Sequence, residues 1–358
     1  MSLFLIGLGL TNALAGTPGA TPKIINGEAA SAKDYPMTGG MLMDATIGFN
    51  GSDGQQFRTF VCSSTLIAPD VVLLAAHCVD PNALTFGIGE LNDVDVRWSR
   101  LADLSDHDGT QIAPWPADAV KAWDWVMHPD FDLQGMEIGV AVNSDIALLF
   151  LDEPVLDVEP AYLLAANEAD QVVEGALVDV VGWGQQIATS MWESPPEGSF
   201  AYKMMGTSSI DELGTHEFHV GAQTDDVRKC HGDSGGPSFM EVDSDSIDPM
   251  RLIGVTSHAY DQTDCNETGG VDTRVSAFAD WIEAEMVSRC EDGTRAWCDQ
   301  TGILVAPIET YGGEDSGLDE GEDPAGGCAC SSSSKSPAWG LGWLPLVFGW
   351  LGARRRRS

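Results

Sequence analysis

Gly232-Asp233-Ser234-Gly235-Gly236-Pro237 surrounds one hydroxyl with residues too small to shield it. A serine hydroxyl is a poor nucleophile until a base takes its proton, and the oxyanion it generates needs donors already aimed at it. Glycines at 232, 235 and 236 permit the tight turn and the close backbone approach that both tasks require. The chemistry open to such a site is acyl transfer, with Ser234 attacking a carbonyl. Its base and orienting acid must come from elsewhere in the chain. His77 follows Val71-Val72-Leu73-Leu74-Ala75-Ala76, an apolar run that reads as a buried strand, and Asp145 opens a second such run through Leu151. The chain order is therefore His77, Asp145, Ser234.

This order, with its flanking motifs, resembles the chymotrypsin-like (trypsin-like) serine peptidases. The resemblance extends over residues 24–288 and implies His77 as general base and Asp145 as the group that fixes its tautomer. It further implies an oxyanion hole formed by the N–H groups of Gly232 and Ser234. Lys23-Ile24-Ile25-Asn26-Gly27 resembles the family's activation site. There a separate activating peptidase, cutting after Lys23, would free an α-amino group on Ile24 that turns inward to pair with Asp233. A buried ammonium–carboxylate pair is costly unless both partners are present, so cleavage acts as a switch. The resemblance also implies a Cys62–Cys78 disulfide beside the base and a Cys230–Cys265 bridge behind the nucleophile loop. Val181-Gly182-Trp183-Gly184 and Val126-Met127-His128-Pro129 match two more strands of the family, which leaves His128 as a surface histidine.

Counting back from Ser234, Arg228 falls where trypsins carry the aspartate that selects Lys or Arg. Arg228 and Lys229 concentrate positive charge at the expected pocket base, and an arginine there can grip a substrate carboxylate with two hydrogen bonds. The expectation is a substrate pocket built from Arg228, Lys229, Ser257, His258, Ala259 and Gly270, with a preference for cleavage after Glu or Asp. The competing expectation is internal neutralisation of Arg228 by Asp225, Asp226 or, best placed, Asp272. His258 is expected either to contact an acidic substrate or to be a surface imidazole.

Positioning these groups calls for short strands rich in Val, Ile and Leu, separated by Gly, Pro, Asp and Asn. That pattern, with the resemblance, gives an all-β fold: a double six-stranded β-barrel with a C-terminal helix. Phe278, Trp281, Ile282 and Met286 recur at helical spacing behind Ser276 as cap, in a helix expected to pack on the second barrel. Gly51–Gln56 and Trp98–Lys121 depart from the family as insertions.

Residues 1–15 read as a secretory signal ending in Ala13-Leu14-Ala15, and 16–23 as an activation propeptide. The peptidase domain spans 24–288, and 289–305 form a small extension closed by Cys290 and Cys298. Residues 306–337 are an acidic Gly/Ser/Pro linker, and 338–358 a hydrophobic tail ending in Arg354–Arg357. Eight cysteines in an exported chain favour disulfides. The tail resembles the MYXO-CTERM sorting signals of delta-proteobacterial surface proteins, which implies cutting near Cys328 or Cys330 and attachment to the cell surface by sorting machinery. Retention as an uncut transmembrane helix is the alternative, although its apolar part, about fifteen residues, is short for a span.

Lys23, Lys335 and the four terminal arginines account for six of the 18 basic residues, leaving twelve against 55 acids in 24–327. So negative a surface repels nucleic acid and anionic lipid and suits solubility in high salt. No cofactor is required by the chemistry, although Glu90, Asn92, Asp93 and Asp95 could hold calcium where some relatives do. The expected product is a monomeric, secreted, zymogen-activated endopeptidase acting on protein or peptide substrates. The alternative is a non-catalytic surface binding protein whose pocket Arg228 and Lys229 block.

Overall fold

A computed structural model describes residues 24–48, 54–136, 139–189, 195–223, 225–261 and 268–308. The expected signal, Lys23, Cys265, residues 309–337 of the linker and the tail lie outside the described residues.

A two-residue strand, β1 (Glu28–Ala29), precedes six strands that close into a first barrel: β2 (Thr38–Gly48), β3 (Gln55–Ala68), β4 (Val71–Leu74), β5 (Glu90–Ser99), β6 (Val120–Met127) and β7 (Ala147–Leu151). β4 is apolar at every position because it is buried at every position, paired with β3 on one side and β7 on the other. On either side of the polar insertion, β2 and β3 pair from Thr38 opposite Thr65 to Ile47 opposite Gln55, with a one-residue bulge at Val61 between the Met41–Cys62 and Leu42–Phe60 pairs. The second insertion lies against the same barrel. Trp115 sits between the guanidinium groups of Arg58 and Arg97, 4.2 and 4.7 Å from its ring centre, and Arg58 pairs with Asp44 at 2.6 Å.

The second barrel comprises β8 (Leu177–Gly182), β9 (Met204–Leu213), β10 (Glu217–Val220), β11 (Pro237–Glu241), β12 (Met250–Ala259) and β13 (Gly270–Arg274). Its order is β9-β10-β13-β12-β11-β8, closed by pairing of β8 with β9, and β1 adds to the edge of β9. This is the expected double barrel. Ile24 is fully buried in the second core with Val178, Val180 and Phe218.

Among the described residues two helices complete the fold, α1 (Pro81–Leu84), capped by Asp80, and α2 (Ala279–Glu291). Ser276 is not the cap of α2: it lies in a 3-10 turn, and Phe278, which has no capping side chain, occupies the cap position. Nor does α2 pack only on the second barrel. Arg289 donates to Asp124 of β6 at 2.6 Å and stacks over Phe150 of β7 at 4.0 Å. His128 is accordingly half-buried rather than superficial, its ring centre 5.0 Å from those of Phe278 and Trp281. Beyond α2, the Cys290–Cys298 disulfide closes a loop that presents Arg295 to Asp70, both fully buried in side chain, at 2.7 Å. Asp70, in the β3–β4 turn, also accepts from Trp297 N at 3.0 Å.

Candidate active site

The register of β4 against β7 pairs Leu74 with Ala147. Antiparallel pairing therefore brings the residues just after β4 to those just before β7, which is why His77 and Asp145, 68 apart in sequence, meet. A 3-10 turn over Ala76–Cys78 turns the imidazole, and a disulfide from Cys78 to Cys62 of β3 fixes that turn. Asp145 is wholly buried and receives three donors: His77 N at 2.9 Å on Oδ1, then His77 Nδ1 at 2.7 Å and Ser257 Oγ at 2.6 Å on Oδ2. Thr273 Oγ1 of β13 donates to the Asp145 carbonyl at 3.0 Å, so both barrels hold the carboxylate. Burial alone would lower the pKa of His77, but the Asp145 charge and hydrogen bond outweigh it and the net direction is upward. Burial likewise opposes ionisation of Asp145, and the imidazole and the three donors reverse it, leaving the carboxyl below its ordinary value. Nδ1 therefore carries a proton and Nε2 is left as the basic nitrogen.

The nucleophile loop is held from both sides. Ser63 of β3 donates through N and Oγ to Gly232 O at 3.1 and 2.9 Å, and its Oγ accepts from Trp183 N at 3.0 Å. Gly235 N donates to Thr256 O at 2.7 Å, and Thr256 N returns to Gly236 O at 2.9 Å. Gly232 and Gly235 adopt φ of +94° and +77°, and a Cβ on Gly235 would lie 2.4 Å from Ser63 O. The Asp233 carboxylate accepts from Gly184 N at 2.8 Å and Cys230 N at 2.9 Å. A Cβ on Gly182 or Gly184 would strike that carboxylate, which is the physical reason for the Val-Gly-Trp-Gly sequence. With these bonds made, the N–H groups of Gly232 and Ser234 have no acceptor among the described residues.

Ser234 and His77 face one cavity of 520 Å³. No hydrogen bond joins them among the described residues, and contacts of this kind commonly tighten only around bound substrate. The arrangement can deprotonate a serine, hold the resulting imidazolium against a buried carboxylate and offer two N–H donors to an oxyanion.

Lys229, Ser257, His258, Ala259 and Gly270 line the same cavity, and Arg228 does not. Arg228 is 1% exposed, and its guanidinium donates to the carbonyls of Gly221 at 3.0 Å and Ala222 at 3.4 Å. Asp272 pairs with Lys229, at 2.6 Å, rather than with Arg228. His258 is half-buried, with Nδ1 3.1 Å from Ser257 Oγ and Nε2 3.3 Å from Gly139 O. Cys230 is disulfide-bonded, as Cys62 and Cys78 are, while Cys265 lies outside the described residues. Glu90, Asn92, Asp93 and Asp95 run along β5 and not in a loop, and Asp95 pairs with Arg97 at 3.2 Å. The one group of metal-ligand type among the described residues is Cys62, His77 and Cys78, whose sulfurs are joined to each other. Ser63 and Glu217 are not foreseen from sequence, nor is the contact with Asp233 that makes Gly182 a glycine. Glu217, fully buried with Oε2 accepting from Ala141 N at 2.7 Å, anchors the segment leading to Asp145, and burial pushes its pKa up to about 7.

The family model for Trypsin matches residues 24–282. The chain is 29% identical to a trypsin of Saccharopolyspora erythraea over 270 residues, 72% of this chain and 95% of that protein. It is 29% identical to chymotrypsin-like elastase family member 1 of Macaca fascicularis, covering 72% and 94%. It is 27% identical to phenoloxidase-activating factor 1 of Holotrichia diomphalia, covering 74% and 70%. With its double barrel and this site, the chain belongs to the trypsin family of serine-type endopeptidases.

Proposed function

We propose that His77, Asp145 and Ser234 cleave peptide bonds through an acyl-enzyme, with Gly232 N and Ser234 N receiving the oxyanion. The observation that carries this reading is the buried Asp145 carboxylate, which takes two hydrogen bonds from His77 and one from Ser257. It leaves His77 one basic nitrogen on the wall that Ser234 shares. His77 takes the Ser234 proton as the hydroxyl attacks, then gives it to the leaving amine; water reverses the sequence and releases the acyl group. A fluorophosphonate that labels the activated chain but not Ser234→Ala is the direct test, and no labelling would sink the assignment. The open cavity speaks against the alternative of a blocked binding protein.

The same reading extends to control and place. Cleavage after Lys23 by a second peptidase would create the Ile24 ammonium that pairs with Asp233. The short hydrophobic tail with four arginines supports export and display on the cell surface. Fractionation of cells making the full chain, or a chain ended at Gly327, tests the latter: display requires the full chain in the surface fraction and the shortened one in the medium.

A further inference from the structure

We infer that the specificity pocket selects an uncharged side chain, because the lysine on its wall, Lys229, is neutralised from behind by Asp272. This rests on the peptidase reading above and replaces the expected preference for Glu or Asp. An ammonium has three protons to donate. All three of those on Lys229 have acceptors: Asp272 Oδ1 at 2.8 Å, Asp272 Oδ2 at 2.6 Å and Ser238 Oγ at 2.8 Å. None is left for a substrate carboxylate, and breaking this arrangement to accept one would strip a buried carboxylate of its counter-charge. The pair equally closes off the opposite choice. Asp272 is fully buried, and its charge is matched before a substrate lysine or arginine arrives.

What faces the cavity is then the alkyl stem of Lys229 beside Gly270. A Cβ built on Gly270 would find its nearest neighbours at 3.6 Å, in His258 O, and at 3.9 Å, in Lys229 Cβ. That wall has room for a side chain and no charge to meet it. Arg228, the other cation of the pair in sequence, points its guanidinium at carbonyl groups outside the cavity.

The test uses the full chain cut after Lys23, with peptides that differ only at the residue before the scissile bond and with a fluorophosphonate to count active Ser234. The expected result is labelling, with kcat/KM for Phe, Leu or Met at least about tenfold above Lys, Arg, Glu and Asp, the ratio corresponding to ~1.4 kcal/mol. Labelled enzyme that prefers Glu or Asp, or Lys or Arg, overturns the inference and leaves the peptidase reading intact. Absence of labelling removes the peptidase reading and this one with it. Two variants push in opposite directions. Lys229→Ser vacates the site of the ammonium in front of Asp272 and should raise cleavage after Lys, whereas Asp272→Asn leaves Lys229 under-paired and should raise cleavage after Glu. Folded variants that both keep the original profile would overturn the inference, and the wild-type profile decides it alone if neither variant folds.

Discussion

Cleavage after Lys23 should change the stability of the protein by an amount that depends on pH. In the uncut chain the Asp233 carboxyl is buried, accepts two backbone N–H bonds and has its pKa raised from 3.8 to about 6, chiefly by burial. A carboxyl whose folded pKa is raised favours the fold fully below the unfolded value and ceases to do so as pH rises through about 6. At about 1.4 kcal/mol per pH unit, the ionised group costs the uncut fold about 3 kcal/mol at pH 8. An ammonium on Ile24, whose side chain is already buried in the second core, would pair with that carboxylate and remove the cost. Thermal unfolding of Ser234→Ala, cut and uncut, measures it. At pH 8 the cut form should melt higher by roughly 6–10 °C. At about pH 5 roughly half of the gap should close, leaving ~1.6 kcal/mol because the unfolded chain is still ionised there, and near pH 4 most of it should be gone. Equal melting at pH 8, or a gap undiminished at about pH 4, would refute the reasoning. A cut chain with its Ile24 amine acetylated should behave as uncut.

Four further outcomes can be measured directly. Asp145→Asn retains one acceptor oxygen for donors that now use both, so kcat should fall by about 10⁴-fold in steady-state assays. Because His77 is held above its ordinary 6.5, kcat/KM should decline on the acid side with an apparent pKa above that value; a limb centred below 6.5 would contradict the upward direction. Ser63→Ala leaves Trp183 N without its acceptor and removes one hold on Gly232, and should cost ~1–3 kcal/mol in denaturant titration with a drop in kcat. Arg295→Ala strands the buried Asp70 carboxylate and should cost ~3–5 kcal/mol, read by the same titration.

What was legible in the sequence is what local pattern dictates. The apolar runs of β4 and β7 and the small residues about Ser234 carry their own reasons, because burial on every face and positive φ exclude other residue types. The direction of side chains 43 positions apart has no such trace: Arg228, Lys229 and Asp272 read as three charges, and only the folded chain decides which two meet. The apolar stripe of α2 likewise announces a buried face without naming its partner, and Ser276 lost the cap because a 3-10 turn intervenes before the helix. Nothing in the local pattern separates Ser63 from the other polar residues of β3. Its role comes from a contact 169 residues away.

The clasp between Arg295 and Asp70 makes the segment after α2 a strap fastened at several points of the fold. Followed inward from residue 308, Pro307 O accepts from Ile247 N and Ser246 Oγ ahead of β12, Ile303 N donates to Glu283 of α2, and only then does Arg295 meet Asp70. A load entering at residue 308 is therefore divided among the β11–β12 connection, α2 and the β3–β4 turn of the first barrel. Cutting the clasp would leave the other two anchorages in place and free only the first barrel from the strap.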